Sequence, residues 1–175
     1  LVNAVGCPRI VINGTCLDYL AESFMAGDPL NGGGFVVMNG IAFDEDGRII
    51  DQELPYPGSN LFSMASGGAI YLRDPWKKVS PEQLNGGEFV NLTEKDWELI
   101  LPYLAENERL FNIKIDDLLT VGGVRRSFDQ VYRKVQVVRL AVLAGNSTRS
   151  ESAAPLPSPR SYAGVIPEGL DADES

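Results

Sequence analysis

The chain has 175 residues, of which 44% are apolar and 22% are charged, so it is neither disordered throughout nor fibrous. It contains no histidine, which excludes histidine general bases, Ser-His-Asp and Cys-His nucleophile systems and histidine-ligated zinc within this chain. Its net charge of −9 repels phosphate backbones and anionic membrane surfaces, so we expect neither nucleic acid nor a membrane as partner.

Cys7 and Cys16 are the two cysteines of the chain. Two thiols are too few for a four-cysteine zinc site or iron-sulfur cluster built from this chain alone. We expect two isolated, buried thiols rather than a disulfide, because free cysteine packs as a small apolar residue. No apolar run reaches the ~20 residues that span a bilayer, and the expected compartment is the cytoplasm.

A repeat organises residues 1–92, which are rich in glycine and in short β-prone runs. A diglycine followed by such a run begins at Gly33, Gly67 and Gly86. The stretches Phe24-Met25-Ala26-Gly27 and Phe62-Ser63-Met64-Ala65-Ser66-Gly67 are also similar, so the likeness is not confined to glycine. The spacing indicates a unit of roughly 17–19 residues with one copy degenerate or filled by an insertion.

Strand-plus-glycine repeats of this length predict a β-solenoid, in which each turn buries its inner face against its neighbours. Glycine suits the corners because it accepts positive φ and has no side chain to collide with adjacent turns. Val36, Met38, Ile70 and Leu72 should then form one stacked apolar row. The alternative is that the diglycines are hairpin turns of a sandwich or barrel.

Two acidic features raise the question of chemistry. Asp44-Glu45-Asp46-Gly47 lies in the insertion 41–60 and predicts the turn of a surface hairpin; its spacing does not fit an EF-hand. Asp18 and Glu22 are four residues apart and would share a helix face, which makes them the candidates of an independent carboxylate enzyme. The commoner meaning of both features is a solvated acidic surface.

Helices are predicted from Thr93 onward. Thr93, with Asp96 three residues later, predicts a capped helix start, and Pro102 predicts a kink or an interruption. The face of this helix should consist of Trp97, Ile100, Leu101 and Leu104. A short helix over 114–119 should end at Gly122-Gly123, and another should follow Ser127.

The last part of the chain gives weaker signals. The stretch 135–142 is dense in β-branched residues, and helix and strand both remain open there. Residues 146–175 are rich in proline, serine and acidic residues, which predicts an extended or disordered tail. This tail is either a frayed terminus or a strap that lies on a partner.

The glycine-rich repeats resemble those of the C-terminal domain of the glutamate synthase large (alpha) subunit, a GXGXG right-handed β-helix. The resemblance is carried by Phe24 to Val37 and Phe62 to Leu72, and continues through the helix that begins after Thr93, covering roughly residues 4–136. Asn107 departs from the histidine that this family usually has there. Only about three to four turns are visible, so the others either precede Leu1 or come from a neighbouring chain.

The resemblance implies a mostly β fold: right-handed single-stranded β-helix turns over 1–92 with a hairpin insertion at 41–60, a helical closing segment over 93–145, and the tail 146–175. It implies a non-catalytic scaffold subunit of a glutamate-synthase-like oxidoreductase complex of nitrogen metabolism. No catalytic, cofactor-binding or metal-binding residue carries over to this chain. FMN and an iron-sulfur cluster are expected in partner subunits, one a flavin-containing synthase type and another possibly of amidotransferase type. The alternative is a β-helix assembly subunit of a molybdenum or tungsten dehydrogenase of the formylmethanofuran dehydrogenase type.

Overall fold

The computed structural model describes residues 7–138, which lie within one unit of the chain, Leu1–Leu140. The predictions for the tail, for the strap and for the end of the helix-or-strand stretch fall outside these residues. The strands are β1 (Arg9–Ile12), β2 (Phe35–Met38), β3 (Ile41–Phe43), β4 (Ile49–Asp51), β5 (Ala69–Arg73), β6 (Gly87–Val90), β7 (Thr120–Val121), β8 (Val124–Arg125) and β9 (Tyr132–Val137). The helices are α1 (Glu94–Phe111), α2 (Ile115–Leu119) and α3 (Phe128–Val131), and single 3₁₀ turns span Pro29–Asn31 and Pro81–Gln83.

A mixed five-stranded sheet in the order β1-β2-β5-β9-β6 is the centre of the fold. The first three strands are parallel and in register, so that Ile10 lies beside Val36 and Val36 beside Ile70. β2, β5 and β6 are the three runs predicted from the diglycine repeat, and all three are strands. β3–β4 and β7–β8 form separate two-stranded antiparallel sheets, the first being the predicted hairpin.

The segments that follow these parallel strands are also stacked on one another. Backbone N–H groups of Tyr19, Ala21 and Ser23 donate to carbonyls of Ser59, Leu61 and Ser63. In the same way, the amides of Leu61 and Phe62 donate to Gln83 and Leu84. The chain from β1 to Leu84 therefore forms three layers, each made of a parallel strand and a second segment that bonds to the next layer.

The middle strands of the central sheet are covered on both faces, since β2 and β5 are buried along their whole length. Val36, Met38, Ile70 and Leu72 lie on the face toward the second segments, which confirms the predicted apolar row. The opposite face packs against the helices, with Tyr71 meeting Ile100 and Leu104 of α1. A parallel sheet buried on two sides explains why these strands have continuous apolar runs rather than alternation.

The glycine corners bring the backbones of successive layers close together. A Cβ on Gly67 would lie 2.7 Å from the backbone nitrogen of Gly27, in the layer before it. Gly68, with φ +82°, occupies the left-handed region, and its position would drive a side chain into the ring of Phe24. Any larger residue at Gly67 must separate the two corners.

Several expectations are wrong in detail. The third repeat strand, β6, does not pair with β5, because β9 inserts between them and pairs antiparallel with both. The open stretch after α3 is therefore a strand as far as Val137. Gly122 and Gly123 do not end α2 but form the turn between β7 and β8, where both have positive φ.

The first helix is confirmed, with one exception on its face. Thr93 accepts a hydrogen bond from the Asp96 amide and the reciprocal bond is present, so the capping box is formed. The helix does not end at Pro102, because α1 is one continuous helix from Glu94 to Phe111. Leu101, which was placed on the buried face, is instead exposed. The described fold is thus mixed sheet and helix, with a five-stranded sheet open at β1 and β6.

Candidate functional site

Asp96 is the best-connected ionisable group of the described residues. Its side chain is fully buried and its Oδ1 accepts from the Lys134 Nζ at 2.6 Å and from the Tyr71 hydroxyl at 2.8 Å. The other oxygen, Oδ2, accepts from the Thr93 amide at 3.0 Å and from the Thr93 hydroxyl at 2.7 Å. The carboxylate thus joins the start of α1 to β5 and β9.

Local sequence explains how these groups meet. Asp96 occupies the third position of α1, where a capping residue reaches back to Thr93. Tyr71 and Lys134 are cross-strand neighbours in the antiparallel β5–β9 pair, so both side chains leave the sheet on the face that packs on α1. The Lys134 ammonium also lies 5.9 Å from the centre of the Tyr71 ring.

The protonation states of this cluster follow from its contacts. Burial alone would raise the pKa of Asp96, but hydrogen bonds from Lys134, Thr93 and Tyr71 outweigh it and hold the pKa below its usual value. Burial, and then the bond to Asp96, raise the pKa of Tyr71 far above its ordinary value. Asp96 therefore stays an acceptor and Tyr71 a donor. The groups hold one another in place, which is the chemistry of a structural clamp.

A groove of about 440 Å³ lies beside this clamp. Its walls are the glycine corners of two layers, including Gly27, Gly67 and Gly68, together with Asp28 and the stem of Lys134. Because the Gly67 and Gly68 amides donate to carbonyls of the preceding layer, they are not available to a ligand. In residues 7–138 no group of three or more Cys, Asp or Glu side chains is placed to hold a metal ion.

A second polar network connects the layers with α1. The side-chain amide nitrogen of Asn39 donates to Asn13 Oδ1 at 2.8 Å, and Asn39 Oδ1 accepts from the Tyr132 hydroxyl at 2.8 Å. Asn13 and Asn107 bond to each other at 2.8 and 3.1 Å. Asn107 is therefore bound to the first layer through its side-chain amide.

The carboxylates considered from sequence do not come together as a catalytic pair. Residues 18–22 form no helix, so Asp18 and Glu22 do not share a helix face. Asp18 instead accepts hydrogen bonds from the Ser59 backbone amide and hydroxyl, which connect the first two layers. In the acidic turn, Asp44 Oδ1 accepts from the amides of Asp46 and Arg48 and so closes the hairpin.

Both cysteines are free thiols, as predicted, but neither is fully buried, so the predicted burial is wrong. Cys7 is exposed and Cys16 is half-buried against the inner apolar cluster. Burial, aided by the nearby Asp18 carboxylate, raises the pKa of Cys16 to about 11. Cys16 is therefore a poor nucleophile at neutral pH.

The clamp was not anticipated from sequence. The sequence signals are a carboxylate at the third helical position and a lysine, Lys134, that precedes Val135 in a stretch rich in β-branched residues. A charged residue in such a run indicates a buried partner, but the sequence does not say which element supplies it.

The described helices include none that is long and apolar enough to cross a membrane. In comparisons with known proteins, no family model, no curated protein and no solved structure matches this chain.

Proposed function

We propose that this chain is a non-catalytic scaffold subunit of a glutamate-synthase-like oxidoreductase complex of nitrogen metabolism, acting in the cytoplasm. In this proposal, residues 1–92 form turns of a right-handed β-helix and α1 to β9 close them. The observation that carries it is the register of β1, β2 and β5, with the corner of Gly67 packed on that of Gly27. Stacked turns of this kind are what the GXGXG resemblance implies.

The internal contacts support a rigid scaffold. β2 and β5 are buried along their whole length, Asp96 fixes α1 to β5 and β9, and Asn107 fixes α1 to the first layer. Neighbouring packed layers resist deformation because protein interiors are close-packed and have few voids. Such a body is suited to hold other subunits at a fixed separation.

The first layer also has an edge suited to assembly. Within residues 7–138, β1 pairs only with β2, so its other edge is free to bond. Large apolar side chains between β1 and β2 are also exposed: Leu17 at 70%, Tyr19 at 45% and Met25 at 48%. An unpaired strand edge and exposed apolar side chains are each typical of an interaction surface.

In the proposed complex, FMN and an iron-sulfur cluster belong to a synthase-type partner, and glutamine hydrolysis to an amidotransferase-type partner. This chain supplies none of the reacting groups. The clamp is consistent with that role, because the carboxylate of Asp96 accepts hydrogen bonds from the Lys134 ammonium and the Tyr71 phenol, which stabilises the fold.

Purification of the native particle through a tag on this chain tests the proposal. We expect a stoichiometric partner with a flavin absorption spectrum, and a tagged unrelated protein from the same cells should recover none. Tungsten or molybdenum in place of flavin would favour the formylmethanofuran-dehydrogenase-type complex. A particle that consists of this chain alone, with no partner at any salt concentration, would overturn the scaffold role.

A further inference from the structure

An exposed tryptophan and three basic residues form a patch at the end of β5. We call Trp76, Lys77, Lys78 and Arg126 the Trp76 surface. Half of Trp76 is exposed, and the guanidinium carbon of Arg126 lies 5.1 Å from the centre of its ring. This is a cation–π distance, so the arginine and the indole hold each other in a defined arrangement.

The backbone beneath this patch is fixed by one buried carboxylate. Asp74 accepts from the amides of Lys78 at 2.8 Å and Val79 at 3.1 Å, and it forms an ion pair with Arg133 at 2.8 Å. Lys77, in the left-handed region with φ 51°, donates its amide to the Asp74 carbonyl at 3.1 Å. On the other side, the Arg126 amide donates to the Leu119 carbonyl. The side chains of the Trp76 surface therefore project from an ordered base.

The charge of the patch is opposite to that of the chain, whose net charge is −9. No carboxylate of residues 7–138 lies within ion-pair distance of Lys77, Lys78 or Arg126. The Lys78 ammonium donates to the backbone carbonyl of Glu53. The cavity beside Lys77 is also lined by Asp129, whose side chain is exposed.

We infer that the Trp76 surface docks an acidic segment of a partner protein. Carboxylates of the segment would pair with Lys77 and Arg126, and an apolar side chain would cover the exposed face of Trp76. Tryptophan and arginine are the residues that most often dominate the energy of protein interfaces, and an ordered base lowers the entropy lost on binding. A polyanion such as nucleic acid is disfavoured because the remainder of the chain repels it.

This inference deepens the proposed function by naming a docking surface on the scaffold, and it rests on that function only for the identity of the partner. A peptide assay tests the surface without the complex. The chain has two tryptophans, so in a full-length Trp97→Phe variant the emission comes from Trp76 alone. The probes are a short glutamate-leucine peptide, its glutamine-leucine counterpart, and an oligothymidylate.

We expect the glutamate-leucine peptide to shift the emission of Trp76 to shorter wavelength in a saturable way. The double variant Lys77→Gln, Arg126→Gln should bind this peptide at least tenfold more weakly. Lys95→Gln, which removes an exposed lysine of α1, serves as the matched control and should leave binding unchanged. Equal binding of the glutamine-leucine peptide, preferential binding of oligothymidylate, or no saturable shift would each overturn the inference.

The two proposals can fail separately. If the peptide binds but the native particle contains no flavin subunit, the Trp76 surface stands and the glutamate-synthase-like assignment falls. If the native particle contains the flavin subunit and still assembles with full affinity when Lys77 and Arg126 are replaced, the assignment stands and the docking role of this surface is overturned.

Discussion

Replacing Gly67 by alanine perturbs the packing of one layer on the next. The new Cβ would lie 2.7 Å from the Gly27 nitrogen, whereas ordinary contacts begin at 3.4 Å, so the corners must separate by 3.4 − 2.7 = 0.7 Å. The three nearest neighbours of that Cβ are all backbone atoms of Gly27, so no side-chain rotation relieves the overlap. Because the φ of Gly67 is outside the left-handed region, steric overlap is the only penalty.

The expected cost is that of overpacking, about 1–3 kcal/mol. Alanine also restricts the unfolded chain, which stabilises the fold by about 0.4–1 kcal/mol wherever it fits. Gly14→Ala isolates this second effect, because nothing lies within 4 Å of a Cβ on Gly14 and its φ is not left-handed either. The difference between the two variants therefore measures the overlap alone.

Urea unfolding followed by circular dichroism gives both free energies of unfolding. We expect Gly67→Ala to be less stable than Gly14→Ala by about 1–3 kcal/mol at an unchanged m-value. If the two variants unfold at the same urea concentration, the corners of Gly27 and Gly67 do not approach as described. The layered packing inferred from the glycine repeat would then be refuted.

Four further predictions concern the polar contacts and the half-buried thiol. Asn39→Ala should lower the free energy of unfolding by about 1–3 kcal/mol, because it leaves the buried Tyr132 hydroxyl without its acceptor; thermal unfolding measures this. The pKa of Asp96 is lower in the fold than in the unfolded chain, so the ionised carboxylate stabilises the fold fully above about pH 4. This stabilisation should be lost as the pH falls toward the pKa of the folded state. The urea midpoint of the wild type should therefore fall more steeply with acid than that of Asp96→Asn. Lys134→Met should cost about 3–5 kcal/mol by leaving Asp96 buried and unpaired, again by urea unfolding. With a pKa of about 11, Cys16 should react with a thiol reagent at pH 8 roughly a hundredfold more slowly than free cysteine does.

Each of these outcomes has a contrary result. A Lys134→Met variant as stable as the wild type would show that the ion pair with Asp96 does not stabilise the fold. An Asn39→Ala variant as stable as Asn91→Ala, which changes an exposed asparagine, would remove the energetic role of the network. Parallel acid profiles of wild type and Asp96→Asn would show that Asp96 is not held charged by its contacts. Labelling of a Cys7→Ser single-thiol variant at the rate of free cysteine would contradict the burial of Cys16.

The sequence predicted local features well where the chemistry is local. The capping box of Thr93 and Asp96 depends on residues three apart, and the diglycine strands depend on short β-prone runs. Successive side chains of a strand point to opposite faces of the sheet, and this predicts the apolar row of Val36 and Ile70. The row is present because the two strands are parallel and in register.

Features made by distant segments were not predictable in this way. β9 pairs with β5 across about sixty residues, and only tertiary packing selects strand over helix for its β-branched residues. Lys134 meets Asp96 through that same pairing, so the clamp was invisible until the strand order was known. The predicted pairing of Asp18 with Glu22 is wrong for a local reason. Side chains four residues apart lie on the same face only in a helix, and this segment is a turn.

The mass of the native particle, measured by native mass spectrometry after purification through this chain, tests the scaffold proposal most directly. The proposal predicts a complex heavier than 19.0 kDa by at least one flavin-carrying subunit, in fixed stoichiometry. A species composed only of copies of this chain would contradict it.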